Sequence, residues 1–204
     1  NLNFDKQILT LSNALWAIEI EYLSSAAKVD QFNADQFDTV LSLNEINRGT
    51  GSLSIKATSN YNTTGLTLIE GIDGGPYLHA SNESDSSQSV KLNENTLVLS
   101  LGTNFASFNV ESQEIIWNIK PDLVAIFEFY DLEDDYLLRG ELEMFRIDNN
   151  GNIKWKYAGK DIWVNNEGKK EVQIEENKIR LIDFEGNEYV IDYFGKTTAE
   201  KSNE

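Results

Sequence analysis

Beyond residue 92 the chain is cut at short intervals by polar turns, and this punctuation constrains its fold more than any other feature. The segments "VESQ", "DLEDD", "DNNG", "NNEG", "EENK" and "EGN" collect the Asn, Asp and Gly that accept the backbone angles of tight reversals. Between them lie short stretches rich in apolar and aromatic residues: "TLVLSLG", "NFASFNV", "EIIWNIK", "LVAIFEFY", "YLLRGELEMFRI", "NIKWKY", "DIWVN", "EVQIE", "KIRLIDF" and "EYVIDYF". None is long enough for a stable isolated helix, and all suit strands. The pattern predicts an antiparallel meander of about ten short strands. Upstream, "SLSIKATS" and "TGLTLIEGI" alternate apolar with polar and predict two further strands joined near "NYNTT". The β domain is accordingly set at residues 51–193, with a polar C-terminal tail at 194–204.

Residues 1–50 read differently. From Phe4 to Lys28, Ile8, Leu11, Leu15, Ile18, Tyr22 and Leu23 recur at spacings of three and four, one helix face. Asp5 suits the positive end of such a helix. A second helix is predicted in "NADQFDTVLSLNEINRG", where Phe37, Val40 and Leu41 share a face and Gly49 marks the stop. A helical N-terminal segment followed by strands makes the class α+β. The sheet region is expected as a twisted sheet, an open barrel or a two-layer sandwich.

Within the meander one phrase repeats. "FNVESQEIIWNI" aligns with "FRIDNNGNIKWKY", pairing Phe108 with Phe145, Val110 with Ile147 and Trp117 with Trp155. "LIDFEGNEYVIDY" is a fainter third copy, with Tyr189 in the aromatic place. A turn followed by a tryptophan strand resembles the repeats of quinoprotein-like bacterial β-propellers, which implies a tryptophan docked between neighbouring sheets. It assigns no cofactor residue, and three such units do not close a propeller. The stretch "RGELEMFRIDNNGNIKWKYAGKDIWV" also resembles small bacterial proteins of the immunity type, which implies a toxin-masking partner role.

The ionisable residues narrow the function. Asp and Glu outnumber Lys and Arg by 34 to 17, for a formal charge of -17. Such a surface repels nucleic acid and attracts a cationic protein. With no cysteine, disulfides and thiolate metal sites are closed, as is Cys/His catalysis. The sole histidine, His79, lies beside a serine-rich loop and reads as incidental. "DNNGN" lacks the bidentate Glu of a calcium loop and reads as a plain turn. Apolar runs stop far short of the roughly 20 residues that span a bilayer. The start at Asn1 reads as trimmed or processed. A cytoplasmic location is the working expectation, with periplasm or secretion left open.

Two constellations remain. Arg139, Glu141 and Glu143 are expected on one strand face with Asp161 nearby, an acidic row that suits a basic partner or a carboxylate pair of the glycosidase kind. Trp117, Trp155 and Trp163 suit an interface anchor or a sugar platform, with core filling expected for at least two. No cofactor is expected. The chain thus reads as a non-enzymatic acidic binding protein, of the immunity type that masks a basic toxin, with a carbohydrate-binding module and a carboxylate hydrolase of the glycosidase kind as alternatives.

Overall fold

A computed structural model describes residues 6–26, 32–46, 49–81, 83, 86–165 and 168–203. Strands appear where helices were expected. The first described segment is a hairpin, β1 (Lys6–Ser12) against β2 (Trp16–Leu23), turned at Asn13, whose Oδ1 accepts from the backbone N–H of Leu15 and Trp16. In β2 the side chains of Ile18, Ile20 and Tyr22 are buried while Ala17 and Glu19 are exposed, a period of two. The second expected helix is a single 3-10 turn at Ala34–Gln36, capped by Asn33, and then β3 (Thr39–Ser42). Val40 and Leu41 accordingly point to opposite faces, Val40 outward and Leu41 into the core. Phe4, Asp5 and Lys28 of the expected first helix lie outside the described residues. The α+β class is therefore corrected to all-β among the described residues, whose strands form four sheets.

The chain forms two compact units. The first, within residues 1–81 and 88–120, adds β4 (Gly51–Ser59) and β5 (Thr64–Ile72) to the opening hairpin. Its five-stranded sheet has the order β1-β2-β4-β5-β3, with β3 parallel to β5. The pairing sets Ile18 beside Ala57, Ile20 beside Ile55 and Tyr22 beside Leu53, all on the buried face. They share a core with Val90, Leu97, Leu99, Ala106 and Phe108 from a second sheet, β6 (Val90–Asn93), β7 (Thr96–Leu101), β8 (Asn104–Asn109) and β9 (Glu114–Ile119). That sheet is a plain meander.

The second unit, within residues 82–87 and 121–204, holds two more four-stranded meanders. One comprises β10 (Ile126–Leu132), β11 (Asp135–Gly140), β12 (Glu143–Ile147) and β13 (Ile153–Ala158). The other comprises β14 (Val172–Glu175), β15 (Lys178–Ile182), β16 (Glu188–Ile191) and β17 (Thr197–Lys201), the last within the stretch expected as a tail. Their common core contains Tyr130, Leu137, Met144, Trp163, Ile179 and Tyr189. In all three meanders the last strand is more exposed than the two before it, and β17 is exposed throughout. Four consecutive antiparallel strands are also the content of one propeller blade, so the repeat seen in sequence has a counterpart in single sheets.

Candidate functional site

The expected acidic row is not assembled. "YLLRGELEMFRI" is a hairpin rather than one long strand, because Asp122 organises a turn at its centre: Asp122 Oδ2 accepts from the N–H groups of Leu142 (3.1 Å) and Glu143 (3.3 Å). Glu141 falls in that turn, where its carbonyl accepts from Trp163 N–H at 2.9 Å. Glu143 opens β12 and pairs with Lys156 at 2.9 Å. Asp161 turns on its own backbone, its Oδ1 accepting from Ile162 N–H at 2.7 Å.

Arg139 instead joins a cluster that was not foreseen. Its Nε donates to Glu128 Oε1 at 3.0 Å, its Nη1 to the Trp163 carbonyl at 2.7 Å, and Glu171 Oε1 lies 3.7 Å away. The guanidinium also covers the Phe127 ring, 4.7 Å from its centroid. Tyr130 donates its hydroxyl to the same Glu128 oxygen at 2.6 Å. Burial pushes the Glu128 carboxyl up, but the Arg139 charge and the bonds from Tyr130, Ser87 and Arg139 outweigh it and hold it below the ordinary value. Burial, then the Glu128 charge, pushes the Tyr130 hydroxyl far up. At neutral pH the carboxylate is ionised and the phenol protonated, so neither is poised to exchange a proton. The arrangement holds charge in place.

This cluster has a pH signature. Because the folded-state pKa of Glu128 is lowered, its contribution is present above the unfolded value of about 4.3 and is lost as pH falls through the folded value. Glu128→Gln is expected to cost about 1–3 kcal/mol at pH 7 and to flatten the acid limb of the stability curve. Urea midpoints followed by tryptophan fluorescence from pH 7 to pH 3 check this; parallel wild-type and variant curves would count against the ion pair.

The tryptophans separate. Trp163 is fully buried, its ring 5.6 Å from Tyr189 and 6.1 Å from Tyr157. Trp117, half-buried in the first unit, packs on Phe105 at 5.3 Å. Trp155, half-buried in the second, donates Nε1–H to the Tyr193 carbonyl at 2.9 Å. The repeated phrase does correspond: Trp117 faces Ser107 and Trp155 faces Arg146, each one bulge from its turn. The extra residue lies in the upstream turn, so Phe108 matches Ile147 rather than Phe145. In the third meander the matching hairpin is β16–β17, where Ala199 rather than Tyr189 holds the place.

Around Trp155 the second unit brings three turns together. "DNNGN" and "DYFGK" are built alike: Asp148 Oδ1 accepts from Asn150 and Asn152 N–H, and Asp192 Oδ1 from Phe194 and Lys196 N–H, all at 2.9 Å. Gly151 and Gly195 take the positive φ that the fourth position requires. "DFEGN" repeats the formula at Asp183. The Asn152 N–H and side-chain amide hold the Asp148 carboxyl below its ordinary range, and both oxygens are occupied by the turn itself. Asn149 Nδ2 donates to the Asp134 carbonyl at 2.6 Å, tying in the β10–β11 turn. Buried Asp135 accepts from Arg146 Nε and from Lys154 Nζ at 2.8 Å. Arg146 further reaches Glu133 (2.7 Å) and the Tyr193 carbonyl (2.8 Å). The β16–β17 turn lies against the Trp155 indole: a Cβ on Gly195 would stand 2.7 Å from it. Phe194, on that turn, is 83% exposed and Ile153, two residues before Trp155, 46%. The D-x-x-G formula was the sequence signal for the β12–β13 and β16–β17 turns; Arg146, Asp135 and Phe194 carried none.

In the first unit, an open depression of about 410 Å³ on the β1-β2-β4 face is lined by Thr10, Ser12, Glu19, Lys56 and Thr58 among others. Among the described residues no three Asp, Glu or His side chains gather as a metal site, and no helix is long and apolar enough to cross a membrane.

The chain matches no protein-family profile and no curated protein. Among solved structures it is similar to the computationally designed Ika8 protein, at 7% identity and a TM-score of 0.46, covering 97% of this chain and 61% of that one. It is similar to BamB from Moraxella catarrhalis at 13% identity and a TM-score of 0.42, covering 98% and 62%. The AfRom2 CNH domain follows at 10% identity and 0.42, covering 97% and 70%. The chain thus spans less than two thirds of the Ika8 and BamB chains.

Proposed function

We propose that this chain is a non-enzymatic binding protein for a basic protein, in the manner of an immunity protein that masks a basic toxin. The observation that carries this reading is the spread of charge: Asp and Glu outnumber Lys and Arg two to one in each unit. A field of one sign over both units steers a cationic partner from any approach. The carboxylates that suited a hydrolase point the same way. Glu143 is paired with Lys156, Asp161 accepts from the backbone of its own turn, and Glu141 falls in the turn between β11 and β12, an arrangement that suits holding structure better than cleaving a substrate.

The test is retention on the immobilised full chain from lysate of the native host, at about 20 mM and about 300 mM salt, since screening lengths differ severalfold between the two. A basic protein is expected to be retained at low salt and released at high salt; once purified, it should rebind with the same salt dependence. Retention of no basic protein at either salt overturns the reading.

A further inference from the structure

We infer that the basic partner docks on the three-turn corner of the second unit, seating a side chain of an apolar-cationic segment against Phe194 and the edge of Trp155. This rests on the binding reading above and adds to it a place and a partner chemistry.

The apolar centre is unusual in being both exposed and fixed. Phe194 is largely open to solvent, yet its backbone N–H is bound by Asp192 Oδ1, and the carbonyl before it accepts from both Arg146 Nη1 and Trp155 Nε1. Gly195, the next residue, lies on the Trp155 ring. An aromatic held on a locked turn has little freedom left to lose on binding, and such preorganised anchors carry most of the affinity at interfaces.

The rim decides the occupant. Glu133, Asp134, Asp148 and Asp192 stand on the three turns, and with Asp135 they make five carboxylates against the three cations Arg146, Lys154 and Lys196. Lys196 is the cation of the β16–β17 turn itself. The carboxylates therefore exceed the cations at the corner, and a Lys- or Arg-bearing segment gains from both the rim and the centre. A second copy of this chain, at -17 and with the same rim, is repelled.

Fluorescein-labelled short peptides test this by anisotropy against the full chain at about 50 mM salt. One peptide alternates Lys with Leu, one Lys with Ser, and one Glu with Leu. The Lys/Leu peptide is expected to bind best. Phe194→Ala, at an exposed position that does not threaten folding, should weaken it by about tenfold or more. Asp134→Asn should weaken it by about two- to threefold and reduce its salt dependence. Tyr61→Ala, an equally exposed aromatic in a turn of the first unit, should change nothing.

If the peptide binds but Phe194→Ala matches wild type, the docking place is overturned while the binding reading stands. Equal binding of Lys/Ser and Lys/Leu peptides overturns the apolar anchor in the same way. If no cationic peptide binds the wild type, both readings fall. Sedimentation of the wild type supplies the last arm: a dimer abolished by Phe194→Ala would make a second copy the occupant and overturn the cationic one.

Discussion

Arg146→Met is expected to destabilise the second unit by about 3–5 kcal/mol, the range for removing one partner of a buried ion pair. Asp135, only 5% exposed at its side chain, would keep a single cation, Lys154, whose own side chain is 48% exposed. The loss would extend further, because the same guanidinium also serves Glu133 and the Tyr193 carbonyl on two different turns. Urea unfolding followed by the fluorescence of Trp155 and Trp163 measures it. The double variant Asp135→Leu with Arg146→Met should recover part of the stability, since the orphaned charge is gone. A loss below about 1 kcal/mol in the single variant would mean that water and Lys154 already satisfy Asp135.

Gly102→Ala should be comparably costly in the first unit, at about 2–5 kcal/mol, combining a left-handed backbone penalty with overpacking. Gly102 has φ +65°, and a Cβ there would collide with the carbonyl oxygen of Asp73, backbone that cannot swing aside as a side chain does. Gly168→Ala is the matched control. Its φ is +73° with open space around it, so only the conformational cost of about 1 kcal/mol applies. Melting curves of both variants decide the matter: equal losses would rule out the collision at Asp73.

Most strands after Gly51 were legible because their alternation and their turn chemistry agree, but "DIWVN" forms no strand, and β6 and β17 fell outside the segments expected as strands. The N-terminal helix was misread because Ile8, Leu11, Leu15 and Ile18 happen to fall at helical spacing, while "AIEIEY" alternates strictly and Asn13 is a turn residue. Tertiary pairing of β2 with β4 settles the competition in favour of the strand. The candidate site was less legible, for a different reason. Arg139, Glu141 and Glu143 share a face only if residues 136–147 are one strand, and the turn that divides them is made by Asp122, which lies 20 residues before Leu142. Side chains that act across such distances leave no mark in local spacing. Glu128 was likewise hidden inside an apolar run, "IFEFY", where its partners Arg139 and Tyr130 sit on both sides of a hairpin.

The strand order has a kinetic consequence. In the three plain meanders every pairing joins neighbours in sequence, so each sheet grows by closing short loops, and short closures are entropically cheap and fast. The first sheet departs from this. Strand β3 is bypassed when β2 pairs with β4, and it finds its place only on the far edge of β5, in parallel. Its docking therefore waits until β5 has been laid down. Refolding is expected to run in at least two phases, an early one in which hairpins zip and a later one in which β3 closes the edge of the first sheet.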